Sequence, residues 1–319
     1  MPKYVLIAIA GGLLTALLHL STETGNPGTL IFAYFTLLPL FMVGLAKGLA
    51  AAAISGTVAL VVTGVAANLT LAAIFTLAYA VPAVAMVRLA LLKRQTPEGP
   101  ADWYPAGRMM SWLTGYGAAA LIAFGVFAGD SPPGMEATFR EGIETSLEGL
   151  ATGEDGTGPA DIAAQIAPHF PALIITSWLI MVTINGSLAQ RFLRRLKWNL
   201  RPSPRMSAFE LPQWMAIALA ISVLAWLAGG QGALGFIGWN LTMVFSVPYF
   251  LMGLAVIHTL SRPWSARTLA LVIFYLFLIV FRWPIAIVAA LGLVEQWAGL
   301  RQRFAGMSGN QGGNQEEDQ

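Results

Sequence analysis

The sequence predicts an all-α protein, a polytopic transmembrane helical bundle of about eight to ten segments. Three observations predict this fold class. Hydrophobic residues make up 56% of the chain and charged residues only 11%, and the mean hydropathy is +0.67. Apolar runs long enough to cross about 30 Å of hydrocarbon recur along the chain. These runs are continuously apolar and do not alternate, which indicates helices and not the strands of a membrane barrel.

The first four apolar segments form a predicted N-terminal bundle, residues 1–92. They are Tyr4–Leu20, Thr29–Ala46, Gly48–Leu69 and Thr70–Leu92. Lys3 precedes the first segment as in a secretory signal, but no small-residue cleavage site follows in residues 21–26, so we expect the segment to be retained. Small residues recur at four-residue spacing, which allows close helix packing. The two small-residue stripes are Ala8, Gly12 and Ala16, and Gly48, Ala52 and Gly56.

A proline-containing stretch, residues 93–110, is a predicted cytoplasmic linker to the C-terminal bundle, residues 111–304. After the apolar segment Ser111–Gly129, the outer loop contains eight of the sixteen acids and a single base, Arg140. Apolar residues at helical spacing predict an amphipathic extracytoplasmic segment at 130–165. Its apolar face can lie on the bilayer surface, cap the bundle as a lid, or belong to a surface helix that only connects two crossings.

A basic run follows the next apolar segment, Ala167–Gln190. Its bases alternate with apolar and aromatic residues, which is typical of a helix end at anionic lipid headgroups. The residues predicted at this lipid interface are Arg191, Arg194, Arg195, Lys197 and Trp198. Docking of an acidic cytoplasmic partner is the alternative interpretation.

The last apolar stretch, Thr268–Ala298, follows the segments Leu211–Ala228 and Leu234–Leu260. A single helix over this stretch would be about 46 Å long and would place Arg282 near its midpoint, at a cost of about 2.5 to 3.5 kcal/mol. A helical hairpin instead places Arg282 and Trp283 at the outer lipid interface. We favour the hairpin, although each of its arms is short for a full crossing.

The distribution of Lys and Arg predicts the orientation of the chain. With a cytoplasmic N-terminus, the predicted inner loops hold the bases and the short outer loops hold none. The chain is therefore expected to be a multi-pass protein of the bacterial inner membrane. Residues 305–319 consist mainly of Gly, Asn, Gln and acidic residues, so we expect a disordered tail.

Residues that carry catalysis or bind metals are sparse in this sequence. The chain contains no Cys, which excludes disulfides and thiolate sites. Its three histidines, His19, His169 and His258, do not pair at metal-ligand spacing. The sequence has no motif for nucleotide binding, nucleophilic hydrolysis or a paired-Asp magnesium site. We therefore predict no enzyme, no catalytic residue, no metal, no cofactor and no nucleic-acid partner.

Several polar residues fall inside the apolar segments, where such residues either join helices or line a site. The candidates for a cavity lining are Asn185, Asn240, Tyr249, His258 and Glu295. Interhelical hydrogen bonding explains each of them individually. Pro82 and Pro248 are predicted to break their helices, and broken helices are tolerated where they face a cavity.

Several stretches of the chain point to a family. The most specific is Gly253-Leu-Ala-Val-Ile-His258, within residues 240–258, and the ending, residues 290–304, accompanies it. Residues 38–45 and 199–204 add to the match, which spans nearly the whole chain. Together they resemble the YybS-like integral membrane protein family (domain of unknown function 2232) in its proteobacterial form. Met252 and Glu295 stand where that family commonly has Gln and Asp.

The resemblance implies a membrane fold and no particular activity. It also implies that the N-terminal half is similar to the substrate-binding subunits of energy-coupling factor transporters. In those subunits a small-residue stripe on the first helix contacts the coupling subunit, and Ala8, Gly12 and Ala16 occupy the comparable place here.

Two functions from different classes follow. The favoured one is a small-molecule binding or transport component, because of the broken helices and the polar residues within them. The alternative is a membrane scaffold or assembly factor without substrate, because intramembrane charge is sparse. An enzyme acting on lipid, with His169 or His258 as base, is a third interpretation. Expected partners are membrane lipids, with other membrane subunits or a homo-oligomer as further options, and any ATP-driven role requires partner subunits.

Overall fold

The described part of the chain is mostly helical. A computed structural model describes residues 3–24, 27–95, 99, 101–127, 132–147, 158–204, 208–281 and 283–303. It is 85% helical. Within these ranges the strands are β1 (Lys93–Arg94) and β2 (Asp102–Trp103), which pair antiparallel. The predicted all-α class is therefore confirmed.

The α-helices of the described ranges are named α1 to α14 in chain order. They are α1 (Lys3–Leu20), α2 (Pro27–Tyr34), α3 (Leu38–Lys47), α4 (Leu49–Ala66), α5 (Leu69–Phe75), α6 (Val81–Leu91), α7 (Ala106–Phe127), α8 (Pro132–Leu147), α9 (Pro159–Ile166), α10 (Phe170–Leu196), α11 (Trp214–Gly229), α12 (Ala233–Leu260), α13 (Arg267–Val280) and α14 (Trp283–Ala298). A π-helical turn, Thr76–Ala80, joins α5 to α6, and a 3₁₀ turn, Ala167–His169, joins α9 to α10.

The chain divides into two compact units. Unit 1 comprises Met1–Met109 and Ser177–Pro204, and unit 2 comprises Met110–Thr176 and Arg205–Gln319. Helix α10 contributes its first residues to unit 2 and the remainder to unit 1. The predicted domains follow chain order instead. That division stays a prediction, because compact units need not be domains that fold independently.

Four helical stretches of the described ranges are long and apolar enough to cross a membrane. They are Leu49–Ala66, Leu69–Leu91, Pro159–Leu196 and Ala233–Leu260. The pair α13 and α14 makes a fifth if it is counted as one span, and α1 and α11 are apolar but shorter. The described part of the chain thus has several helices that are long and apolar enough to cross a membrane. The predicted count of about eight to ten crossings stays a prediction.

The segment Thr29–Ala46, predicted as one crossing, forms two helices. α2 ends at Tyr34 and α3 begins at Leu38. Pro39 explains the break, because proline has no N–H and its ring clashes with the carbonyl group four residues earlier, that of Phe35. The Phe35 carbonyl instead accepts from the N–H of Leu38 at 3.0 Å, which closes a tight turn between the helices.

The two prolines predicted to break helices have different effects. Pro82 lies at the start of α6, directly after the π-helical turn. A π-helical turn shifts the backbone hydrogen bonds by one residue, so the helix axis continues with an irregular segment. Pro248 lies inside α12, which continues past it as one helix. The predicted break at Pro248 is therefore wrong.

Small residues hold α1 against α4 in unit 1. Ala8 and Ala16 are fully buried, and the Ser55 hydroxyl donates to the Ala8 carbonyl at 2.7 Å. A Cβ at Gly12 would lie 2.6 Å from the carbonyl oxygen of Ser55. Helix α4 therefore covers the stripe of α1, and the stripe is not free to contact a partner subunit.

The three residues of the second small-residue stripe have different surroundings. Ala52 is fully buried. Gly48 connects α3 to α4 with a φ of 96°, a backbone conformation that favours glycine. A Cβ at Gly56 would lie 3.7 Å from the Cβ of Ala80, an ordinary contact distance. Gly48 thus permits a turn, and Gly56 leaves room for a side chain.

Glycines bring three helices of unit 2 into backbone contact. A Cβ at Gly253 on α12 would overlap the carbonyl oxygen of Val288 on α14, and a Cβ at Gly292 would overlap that of Tyr249. Gly238 on α12 faces the backbone of α11 in the same way. These glycines therefore set the distances from α12 to its two neighbours.

The apolar side of α8 contacts other helices of unit 2. Ile143 is buried in a cluster with Ala163. The centroid of the Phe139 ring lies 5.4 Å from that of Phe170 and 5.8 Å from that of Phe124. Neighbouring helices of unit 2 therefore cover the apolar side of α8, and the role of the acidic segment stays a prediction.

Helices α13 and α14 are separate and are bent by 119° relative to each other. Residues 268–298 therefore do not form one straight helix. Trp283 begins α14 and is 58% exposed. Arg282, on which the prediction of a hairpin depends, lies outside the described residues, as does the predicted tail.

Candidate functional site

Two backbone carbonyl groups of unit 1 lose their helical partners next to prolines. Pro82 has no N–H, so the carbonyl of Ala78, four residues earlier, lacks its α-helical partner. At the break between α2 and α3, the N–H of Leu38 bonds to Phe35, so the carbonyl of Tyr34 lacks its partner too. A buried polar group left unpaired costs about 1–3 kcal/mol. Both carbonyls therefore need donors from elsewhere in the fold.

Side chains of α10 supply these donors. The indole N–H of Trp178 donates to the Ala78 carbonyl at 2.6 Å, and the side-chain amide of Asn185 donates to the Tyr34 carbonyl at 2.8 Å. The Tyr34 hydroxyl donates in turn to the Ser177 carbonyl at 3.4 Å. These side chains donate to the two carbonyls that lack helical partners. The hydrogen bonds thus fix α10 to the two irregular segments of unit 1.

Asn185 is fully buried, and only half of its amide is used. Its Nδ2 donates to the carbonyl oxygens of Tyr34 and Met181, both at 2.8 Å. Its Oδ1 has no hydrogen-bond donor among the described residues. A buried acceptor without a donor is costly, and an N–H or O–H group of a ligand would satisfy it.

In unit 2, the side-chain amide of Asn240 likewise bonds to backbone groups at a helix irregularity, and both its oxygen and its nitrogen have partners. Its Oδ1 accepts from the N–H of Ala172 at 2.9 Å, and its Nδ2 donates to the carbonyl of Pro168 at 3.0 Å. These two backbone groups are four residues apart, so the amide replaces one missing helical bond where α9 joins α10. Nδ2 also donates to the carbonyl of Phe236. A structural role therefore accounts for Asn240.

Two further candidates join helices of unit 2. The Tyr249 hydroxyl donates to Gln296 Oε1 at 2.9 Å. Glu295 and Arg301 form a buried ion pair at 2.7 Å, and Glu295 also accepts from the backbone N–H of Leu300 at 2.7 Å. Arg301 donates to the carbonyl of Phe209 at 2.8 Å. Glu295 thus accepts from the backbone N–H of the residues just after α14 and neutralises a buried cation.

The histidines also lie in defined contacts. His258 Nε2 is 2.7 Å from the Tyr275 hydroxyl. His169 Nδ1 accepts from the Trp239 indole at 2.6 Å. The His19 ring lies 5.1 Å from that of Tyr79 between centroids. Within the described ranges, no group of three His, Cys, Asp or Glu residues could hold a metal ion.

The lipid-interface residues predicted in the basic run at the end of α10 lie at one end of unit 1. The side chains of Arg191, Arg194, Arg195 and Lys197 are exposed, and Trp198 is 58% exposed. Lys47, at the end of α3, places its Nζ 5.5 Å from the centroid of the Trp198 ring. The ends of α3 and α10 therefore meet at this surface.

Arg201 is the buried centre of the same end of unit 1. Its guanidinium donates to the carbonyls of Ala90 at 3.2 Å and Tyr104 at 2.7 Å. Its own carbonyl accepts from the side chains of Gln190 and Asn199. Burial lowers the pKa of Arg201, although a guanidinium stays protonated in proteins. One side chain thus ties α6, the segment after β2, and the end of α10 together.

The comparison with protein families agrees with this architecture. A family model described as "Predicted membrane protein (DUF2232)" matches residues 13–295, which is most of the chain. The chain belongs to the DUF2232 family. No curated protein and no solved structure matches it. Membership of DUF2232 therefore identifies a membrane protein.

The predicted cavity-lining residues of this DUF2232 protein belong to different compact units, and the structure adds other residues. Asn185 belongs to unit 1, whereas Asn240, Tyr249, His258 and Glu295 belong to unit 2. Sequence reasoning missed Tyr34, Trp178 and Arg201. Pro39 and Pro82 carried a usable signal, because a proline inside an apolar segment frees a carbonyl that a buried donor must satisfy. No pattern in the sequence indicates which donor reaches it.

Proposed function

We propose that this DUF2232 protein is a small-molecule binding component of the bacterial inner membrane, and that its ligand is recognised at Asn185. One observation carries the proposal. Asn185 Oδ1 is a buried acceptor without a donor among the described residues, beside a break between helices. Asn240, which repairs a similar break, has partners for both its nitrogen and its oxygen. Helix packing explains Asn240 completely and leaves half of the Asn185 amide unexplained.

The position of Asn185 indicates what such a ligand offers. Oδ1 is an acceptor, so the ligand group at this point carries an N–H or O–H. Because Asn185 is fully buried, the ligand reaches Oδ1 only when the elements packed around Asn185 move apart. Irregular backbone of this kind is tolerated within a membrane where it lines a cavity or is buried in protein.

The proposal includes about eight to ten crossings with a cytoplasmic N-terminus. Contacts of Ala8 with Ser55 and of Ala16 with Ala59 support parallel packing of α1 and α4. The start of α1 then lies at the basic end of unit 1, where the positive-inside rule expects the cytoplasm. We also propose that the chain belongs to the YybS-like, proteobacterial branch of the family. Its N-terminal half is then similar to the substrate-binding subunits of energy-coupling factor transporters. No catalytic activity and no nucleic-acid partner are part of the proposal.

Native mass spectrometry of the full chain, extracted from its own membrane into lipid nanodiscs, tests the proposal. We expect a discrete non-lipid mass on the wild type and its loss from Asn185→Leu, which approximately keeps the side-chain size and removes the amide, its acceptor and its donors together. Ser187→Ala, an exposed position on the same helix, is the matched control and retains the mass. A mass that persists on a folded Asn185→Leu variant would refute recognition at this residue.

A scaffold or assembly factor without substrate is the second candidate function. The observation in its favour is that Asn240 and Tyr249 hydrogen-bond to neighbouring helical segments and that Glu295 is paired with Arg301. The same experiment separates the two functions. Recovery of only lipid, second copies of the chain or envelope proteins, with no small molecule, would favour the scaffold.

A further inference from the structure

We propose that one end of unit 1 is a docking surface for anionic phospholipid headgroups, and that buried Arg201 is the positioning residue that assembles it. The inference is independent of ligand binding at Asn185. The surface, which we term the basic face, consists of exposed bases from four parts of unit 1. They are Lys47, Arg88, Lys93, Arg94, Arg108, Arg191, Arg194, Arg195 and Lys197.

Contacts between backbone segments bring these bases to one end of unit 1. The N–H of Leu200 donates to the Leu45 carbonyl at 3.3 Å, which joins the end of α10 to the end of α3. The N–H of Tyr104 donates to the Leu92 carbonyl at 3.0 Å, beside the β1–β2 pair. Bases that are more than a hundred residues apart in sequence therefore share one surface.

Arg201 joins the two halves of the basic face. Its guanidinium bonds to Ala90, near Arg88 and Lys93, and to Tyr104. Its Nη1 also lies 3.3 Å from the sulfur of Met109, next to Arg108. Since Arg201 is only 6% exposed, it acts on the face through position and not through direct contact with a headgroup.

The net positive charge of unit 1 favours an anionic partner at the basic face. Its ranges contain eleven Lys and Arg and only three Asp and Glu. Of those acids, Glu23 lies beyond the other end of α1 and Asp102 lies in β2, next to the face. So many like charges on one surface repel each other, and an anionic layer relieves that repulsion.

The side chains between the bases favour a lipid surface over a soluble polyanion. Trp198 is 58% exposed, and Leu196 and Leu200 are each 50% exposed. Exposed apolar and aromatic groups interleaved with bases suit the boundary between headgroups and acyl chains. Lys93 Nζ lies 5.8 Å from the centroid of the Trp103 ring, which repeats the pairing of Lys47 with Trp198.

The test compares phosphatidylglycerol with phosphatidylcholine as probes of the purified full chain in detergent. Native mass spectrometry measures the ratio of retained lipids, and thermal unfolding measures stabilisation by each lipid. We expect the wild type to prefer phosphatidylglycerol, with the preference decreasing as NaCl is raised. The triple variant R191Q/R194Q/R195Q should reduce the preference by at least about fivefold, since each base near an anionic surface contributes about that factor.

Matched variants separate charge from packing. R191K/R194K/R195K keeps the charges and should keep the preference for phosphatidylglycerol. R201M leaves every exposed base in place and should also weaken the preference. If R201M fails to fold, the two triple variants still decide whether the exposed bases select the lipid, because their substitutions lie on exposed side chains.

Three outcomes would overturn the inference. One is an unchanged lipid preference in R191Q/R194Q/R195Q. Another is equal stabilisation by free inorganic phosphate, which would indicate an ordinary anion site. The third is retention of an acidic protein with no preference between the lipids. Asn185→Leu should leave the lipid preference intact, so failure of the proposed function is distinguishable from failure of this inference.

Discussion

Replacing Gly292 by alanine tests whether α12 and α14 contact through their backbones. A Cβ at Gly292 would overlap the Tyr249 carbonyl oxygen and would lie 2.7 Å from the backbone nitrogen of Gly253. Neither atom belongs to a side chain that can rotate away, so one helix has to shift. We expect Gly292→Ala to lower the stability of the protein.

The magnitude follows from three contributions. Overpacking costs about 1–3 kcal/mol. A shift of α14 also weakens the 2.9 Å hydrogen bond between Tyr249 and Gln296, which contributes about 1 kcal/mol. Alanine recovers about 1 kcal/mol over glycine through helix propensity. The expected net loss is therefore about 1–3 kcal/mol in the free energy of unfolding.

Gly56→Ala is the matched control, because it makes the same chemical change in an open position. Its Cβ would lie 3.7 Å from Ala80 and 3.8 Å from Leu40. Only the propensity term remains there, so we expect unchanged stability or a gain of up to about 1 kcal/mol. Thermal unfolding of both variants in one detergent, followed by tryptophan fluorescence, provides the comparison. Equal melting temperatures for Gly292→Ala and the wild type would refute the backbone contact.

Three other predictions address single contacts. Glu295→Ala and Arg301→Ala should each destabilise the protein by about 3–5 kcal/mol. The double variant should lose less stability than the sum of the two single losses. Additive losses in unfolding measurements would contradict the buried ion pair. Trp178→Phe should cost about 1–3 kcal/mol by leaving the Ala78 carbonyl unpaired. Pro82→Ala supplies a new N–H for that carbonyl, so Trp178→Phe should cost less in its background; an equal cost in both backgrounds would argue against the carbonyl account. Gly48→Ala should lower the free energy of unfolding by about 1–2 kcal/mol because Gly48 has a positive φ, although the space around it is open. Chemical denaturation that shows no loss of stability would argue against this backbone conformation.

The sequence by itself determined the fold class of this protein. Continuous apolar runs with few charges can only be buried in a bilayer as helices, and this rule needs no knowledge of tertiary contacts. The helical spacing of Phe139, Ile143 and Leu147 likewise predicted an amphipathic helix, and α8 packs these side chains in one cluster. Such periodic patterns depend only on neighbouring residues, so they can be recognised without knowledge of the tertiary structure.

Only the tertiary structure decided which buried polar side chains have all their hydrogen-bonding groups paired and which one has an acceptor without a donor. Asn185 and Asn240 read alike in sequence, as one buried amide inside an apolar helix. The fold gives Asn240 backbone partners on three sides and leaves Asn185 Oδ1 without a donor among the described residues. The fold also converts Glu295 from a candidate cavity residue into the ion-pair partner of Arg301.

The physical reason is the distance along the chain between partners. Periodicity reports how each residue divides between lipid and water, which depends on its immediate neighbours. The hydrogen bond from Trp178 to Ala78, by contrast, joins residues a hundred positions apart. Pro82 determines in the sequence that a carbonyl is freed, and only packing determines which side chain reaches it.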